Sequence, residues 1–177
     1  MANEKQNFMN KTFFYIILIA GILASCQNKK ATSELEELSA QAKVKELNKK
    51  QVRRWLSECD NGNFSIVNEL ITEDFKAYYA GDTFGREWLL ASVEAFPRSF
   101  SESIHSINEL FADEDKVVAY MTVKGTHTGV FMDVPPSGKK IRYDAFTVYR
   151  LENGMIKEMW WDENAVLKLM LEQGISF

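Results

Sequence analysis

The sequence predicts an α+β domain, helices leading and an antiparallel sheet following, from two periodicities and one bound on size. Leu35, Leu38, Ala42, Leu47, Val52, Trp55 and Leu56 recur at roughly three- and four-residue intervals among lysines and glutamates, as one face of a helix requires. From Ile104 the apolar period drops to two, with reversals marked by Asp113-Glu114-Asp115-Lys116, Pro135-Pro136-Ser137-Gly138 and Glu152-Asn153-Gly154. The chain has 177 residues, 46% hydrophobic and 26% charged, with only 3 Pro and 9 Gly, which suits one domain of common size and no long disorder.

Each element follows in order. The helical pattern from Val52 to Cys59 is the more firmly apolar part of the first helix, and Asp60-Asn61-Gly62-Asn63 ends it with turn chemistry. Phe64 to Ile71 reads as a second short helix and Phe75 to Tyr79 as a strand. Gly81-Asp82 breaks the chain before a third helix, Arg86 to Phe96, which stops near Pro97. Strands are expected at about 103–112, 117–128, 140–150 and 155–162, and Val166 to Glu172 as a closing helix.

The N-terminus belongs to a different regime. Lys5 and Lys11 precede an apolar run from Thr12 to Leu23, followed by the small residues Ala24 and Ser25 and then Cys26. A cationic start, a short apolar core and small residues at its end form the layout of a secretory signal, and a bilayer-spanning helix needs about 20 apolar residues. Leu23-Ala24-Ser25-Cys26 resembles the bacterial lipobox, which implies cleavage before Cys26 and lipidation of that cysteine; the other reading is a plain cleaved signal with an incidental cysteine. The expected organisation is a signal peptide over 1–25, a lipidated tether and helix start over 26–50, and the folded domain over 51–177.

A net charge of −4 without a basic cluster points away from nucleic acid. Two cysteines, Cys26 and Cys59, cannot build a disulfide framework, and two histidines, His105 and His127, make a multi-histidine metal site a poor fit. No phosphate loop, dinucleotide fingerprint or nucleophile elbow is present. The expectation is a domain that works without metal or cofactor.

Three blocks of residues carry a family resemblance. Gly125-Thr126-His127-Thr128-Gly129-Val130-Phe131, then Val134-Pro135-Pro136-Ser137-Gly138-Lys139, then the run Tyr149 to Trp160 resemble, in order and spacing, the SnoaL-like polyketide cyclase (ester cyclase) family. Glu109 to Val118 and Leu169 to Gly174 are similar to two further segments of that family. Ser137 stands where the family usually has threonine, and Ser101-Glu102 where Pro-Asp is common. The resemblance spans roughly Val52 to Gly174 and implies an NTF2-like cone, a curved antiparallel sheet wrapped around a pocket that helices close.

It also implies where the chemistry lies. The family's faces would turn His127 and Trp160 inward, with Phe131, Tyr143, Trp88 and Tyr78 as further walls of a pocket for a small apolar molecule. Asp162 would be the general acid and base of an intramolecular aldol closure, with His127 orienting the substrate. The family often spaces its acid four residues beyond the tryptophan, where this chain has Asn164. Asp162 reads equally as the acidic start of the terminal helix, Trp88 and Tyr78 as plain core, and His127 as a histidine bonded to backbone at a strand end. His105 reads as a surface residue by alternation. Two functions remain open: a cyclase or isomerase at the cell envelope, or a non-catalytic module that holds a hydrophobic ligand there.

Both faces of the last two strands carry apolar side chains, Phe146 and Val148 against Ala145 and Tyr149, and Met159 and Trp161 against Trp160. A sheet with one wet face alternates apolar and polar, so a homodimer through the outer face, with Trp161 near its centre, is expected.

Overall fold

The computed structural model describes residues 2–79, 81–161, 168 and 170–172, with backbone alone for 2–29. Helix α1 runs Ala2–Asp60. The chain divides into two compact units, Met1–Lys43 and Val44–Phe177. The described part of the first unit is helical throughout, so the first part of the stretch 26–50, expected as a tether, is helix as well, with Lys30 and Glu34 paired one turn apart at 3.8 Å. Among the described residues no helix is long and apolar enough to cross a membrane.

The second unit carries the α+β fold. The end of α1 buries Val52, Trp55 and Leu56, with Cys59 packed beside them, which is one helical face at spacings of three and four. Gly62 ends the helix in a left-handed conformation, φ +74°, and its N–H returns to the Cys59 carbonyl at 3.0 Å. The expected second helix is shorter than its apolar run: a 3₁₀ turn, Phe64–Ile66, and helix α2, Val67–Leu70, lead straight into strand β1, Ile71–Tyr79. A tight turn containing Gly81 joins β1 to an additional short strand β2, Asp82–Phe84. Helix α3, Arg86–Ser99, passes through Pro97 rather than stopping there. That proline lies in the last turn, so the one hydrogen bond it removes is at the end of the helix, and Ser99 Oγ donates to the Val130 carbonyl at 2.7 Å to hold that end in place.

Three long strands follow, β3 (Phe100–Asp113), β4 (Lys116–His127) and β5 (Lys140–Glu152), then the shorter β6 (Met155–Trp160). Asn153 and Gly154 both take positive φ in the β5–β6 hairpin, as its two-residue turn demands. The sheet order is β2-β1-β6-β5-β4-β3, so the last strand lies in the middle, parallel to β1 and antiparallel to β5. The inner face of this sheet, the end of α1 and the face of α3 bearing Leu89, Val93 and Phe96 enclose one apolar core. A second buried cluster, Phe100, Phe131, Val134, Ile141 and Leu171, closes one end, with Phe96 and Tyr143 touching both.

Bulges decide which side chains enter the core. On β6 the pairing steps from Leu151↔Ile156 to Arg150↔Glu158, which leaves Lys157 as an extra residue. Ile156 and Met159 are therefore both buried, and the alternation reverses between them. On β3 the register slips between Ser101 and Ile104, where Glu102 takes φ +53°, and again between Ile107 and Glu109. Counted back from the buried Leu110, unbroken alternation would turn Ile104 inward and His105 outward. The slip at Asn108 inverts this.

Candidate functional site

The core opens into a cavity of about 120 Å³ between α1, α3 and the inner sheet. Its walls are mostly apolar: Trp55, Leu56, Leu89, Val93, Phe96, Met121, Met159 and Trp161, with Ser92, Ser103, Tyr143, Thr147 and Tyr149 contributing hydroxyl-bearing side chains. Two ionisable partners sit among them, Asp60 at the end of α1 and His105 on β3. One carboxylate oxygen of Asp60 lies 2.6 Å from His105 Nδ1, and the other accepts the His105 backbone N–H at 2.8 Å. Asp60 thus grips its partner by ring and main chain together, which fixes the imidazole and places a proton on Nδ1. Nε2 remains as the nitrogen without a hydrogen-bond partner among the described residues. Both side chains are largely withdrawn from solvent, at 24% and 16% exposed.

The cavity also holds a thiol. Burial, with the neighbouring Asp60 and Glu58 charges, pushes Cys59 up to about 12, so it stays protonated and inert at neutral pH. Among the described residues no group of three or more His, Cys, Asp or Glu side chains is placed to hold a metal ion.

Of the residues expected from sequence, Tyr143 lies on the cavity wall. Trp88 lies behind it, stacked on Phe84 at 4.3 Å and tilted against Trp161 at 5.6 Å. Tyr78 and Trp160 are displaced from their expected place: they stack on each other at 5.0 Å on the opposite face of the sheet, because the Lys157 bulge turns Trp160 out and Trp161 in. Trp161, expected on the outer face, lines the cavity instead.

His127 is fully buried in the second cluster rather than in the cavity, packed on Phe100 at 5.1 Å. Its Nδ1 accepts the Ser137 hydroxyl at 3.1 Å and the Ser137 N–H at 3.3 Å, so the ring is neutral with its proton on Nε2. Burial holds its pKa below the ordinary value, with the Gly129 backbone opposing the shift in part. Phe131 lies in the same cluster. Asp162 and Asn164 lie outside the described residues.

Sequence reading missed the Asp60–His105 pair and Trp161. For Asp60 the only signal was an acid at a helix end, and for His105 the period-two count pointed the wrong way.

Helices closing a cavity over one face of a curved, largely antiparallel sheet define the NTF2-like class of α+β domains. The model of the SnoaL-like polyketide cyclase family matches residues 50–169, and the chain belongs to that family. Solved structures agree on the fold. A protein from Jannaschia sp. CCS1 assigned to the SnoaL-like polyketide cyclases is 23% identical, with a TM-score of 0.65 over 71% of this chain and 92% of its own. TsrD from Streptomyces laurentii is 18% identical, with a TM-score of 0.62 over 72% and 94%. A SnoaL-like polyketide cyclase from Agrobacterium tumefaciens is 16% identical, with a TM-score of 0.58 over 70% and 97%. No curated protein matches the chain.

Proposed function

We propose that this chain is a cofactor-free acid–base catalyst of the cyclase or isomerase type, acting on a small apolar carbonyl compound. The observation that carries this reading is the carboxylate–imidazole pair on the wall of an otherwise apolar cavity. His105 is the proton-transferring group and Asp60 its positioning residue. His105 Nε2 takes a proton from a carbon next to a carbonyl group, and conjugation with that carbonyl carries the enolate charge. The enolate carbon adds to a second carbonyl of the same molecule, forming a C–C bond. The resulting alkoxide takes the proton back from Nε2, which leaves the imidazole neutral and the proton count unchanged. Isomerisation uses the same two transfers without the bond-forming step.

Deuterium incorporation at C2 of cyclohexanone, followed by NMR in heavy water, tests the proton transfer. His105→Asn is expected to lower the exchange rate by at least about 100-fold, the usual contribution of a positioned acid–base group. Asp60→Asn is expected to lower it about 10- to 100-fold by loosening the ring. Exchange that survives His105→Asn and disappears in Asp162→Asn would move the role to Asp162, the acid to which the family resemblance pointed. A wild type that binds ketones without exchanging them would support the second reading, a ligand-holding module, which Asn164 at the family's usual acid spacing favours.

The same proposal includes location. Leu23-Ala24-Ser25-Cys26 supports a lipid anchor at the bacterial cell envelope. Wild type is expected to partition into detergent and Cys26→Ser to remain a precursor or become soluble, since each buried CH₂ of an acyl chain contributes about 0.8 kcal/mol. Wild type recovered wholly in the soluble fraction would overturn it.

A further inference from the structure

The size and rigidity of the cavity narrow the ligand further, on the reading that this cavity is the ligand site. We infer that the ligand is a single six-membered ring, or a chain that closes to one, and not a fused polycycle. The cavity measures about 120 Å³. An apolar protein cavity of about 150 Å³ binds one benzene molecule, so a fused two- or three-ring system exceeds the volume available between these walls.

The walls are braced by their neighbours. Leu89, Met121 and Tyr149 are each at most 2% exposed, and protein interiors of this kind are close-packed. Trp161 is backed by Tyr79 at 5.7 Å and by Trp88 at 5.6 Å, and Trp88 is itself braced by Phe84. Three aromatic rings would have to move together before a second ligand ring could enter on that side. A larger ligand would instead project its further rings through the mouth and forgo their burial.

The polar groups fit the same picture. The ionisable pair occupies one part of the wall, while aromatic and aliphatic side chains occupy most of the rest. The complement is a flat apolar ring whose oxygen and acidic carbon lie along one edge, against His105. An alicyclic ketone or 1,3-diketone has that form, as does a linear diketone folded towards ring closure.

Ligand-observed NMR titrations with cyclohexanone, 1-tetralone and anthrone, which present one, two and three rings, test the inference. Apolarity alone would make the largest compound bind best. The expected order is the reverse: anthrone at least tenfold weaker than cyclohexanone, with 1-tetralone between them. Trp161→Ala should improve 1-tetralone binding at least tenfold by opening the braced side, a gain that misfolding cannot mimic. Met121→Ala opens the cavity from the sheet and serves the same purpose if Trp161→Ala does not fold. Anthrone that binds wild type as tightly as cyclohexanone and competes with it overturns the size limit. Because these titrations read binding alone, a failed ring-size order with intact deuterium exchange overturns this inference only. An intact order with no exchange overturns only the assignment of proton transfer to His105.

Discussion

His127 shows how one residue can join two sequence motifs. Its N–H donates to the Lys139 carbonyl at 2.9 Å, its carbonyl accepts the Gly138 N–H at 2.9 Å, and its ring accepts from Ser137. The Gly-Thr-His and Pro-Pro-Ser-Gly-Lys blocks are therefore two sides of one hydrogen-bonded loop, which gives the histidine a structural purpose away from the cavity. The buried neutral ring also makes stability depend on pH. Between its lowered folded pKa and the ordinary 6.5, the unfolded chain binds a proton that the folded chain refuses. The stabilisation is complete above 6.5 and declines as pH falls through that window. Thermal melts from about pH 7.5 down to about pH 5 should show this slope, and His127→Gln should remove that component of it. Cys59 offers a second check at this scale. In Cys26→Ser protein, alkylation of Cys59 near pH 8 should be at least about 100-fold slower in the native than in the unfolded state, because the thiol is buried and protonated. Rapid native labelling would contradict the environment described for it.

At the scale of elements, the turns and periods were legible and the faces were not. Asn153-Gly154 announced its hairpin, and the end of α1 announced itself through Val52, Trp55, Leu56 and the turn after Asp60. Inside and outside were misassigned where a bulge intervenes. A bulge is fixed by pairing with a neighbouring strand, so the residues Glu102, Asn108 and Lys157 carry no local mark of the role they play. One extra residue exchanged Trp160 for Trp161 at the cavity and another brought His105 in. The Tyr78–Trp160 stack and the Asp60–His105 pair are both contacts distant in sequence, which periodicity does not report.

Gly129 makes a further prediction at this level. A Cβ there would lie 2.2 Å from the Arg98 carbonyl oxygen, so glycine is what lets the loop after β4 close onto the end of α3. Gly129→Ala should destabilise the domain by about 1–3 kcal/mol in denaturant unfolding, the usual cost of forcing backbone apart in a packed region. An unchanged midpoint would mean that the loop can retreat from the helix at no cost.

For the whole molecule, the outer face of the sheet carries an apolar row across five strands: Phe111, Val118, Val148, Trp160 and Tyr78 stand in register. Beside it Phe146 is 59% exposed and stacked on Tyr120 at 4.8 Å. Arg150 and Glu158, paired at 2.6 Å, border the row. We propose that a second copy covers this face, with its centre at Trp160 and Phe146 in place of Trp161, which lies on the cavity. Light scattering on the chain beginning after Cys26 should give twice the monomer mass, and Trp160→Glu or Phe146→Glu should halve it. Trp161→Glu should impair ligand binding and leave the mass unchanged. A monomeric wild type at micromolar concentration would leave the row exposed and remove the homodimer.

The place of β6 in the sheet bears on when the chain can fold at all. As the last of the described strands to be made and one of the inner strands in space, it is the wedge between β1 and β5. A nascent chain that has reached only Gly154 holds a β1–β2 hairpin and a β3–β4–β5 ribbon with nothing to join them edge to edge. Joining requires contacts between residues as far apart as Ile71 and Ile156, the slow kind to form. The domain should therefore stay loose and threadable until β6 has been made. Under the proposed export to the cell envelope, that delay would keep the chain able to pass through a narrow channel before it folds. Ribosome-bound chains ending at Gly154 should be digested by protease as readily as unfolded controls, whereas released chains that include β6 should resist.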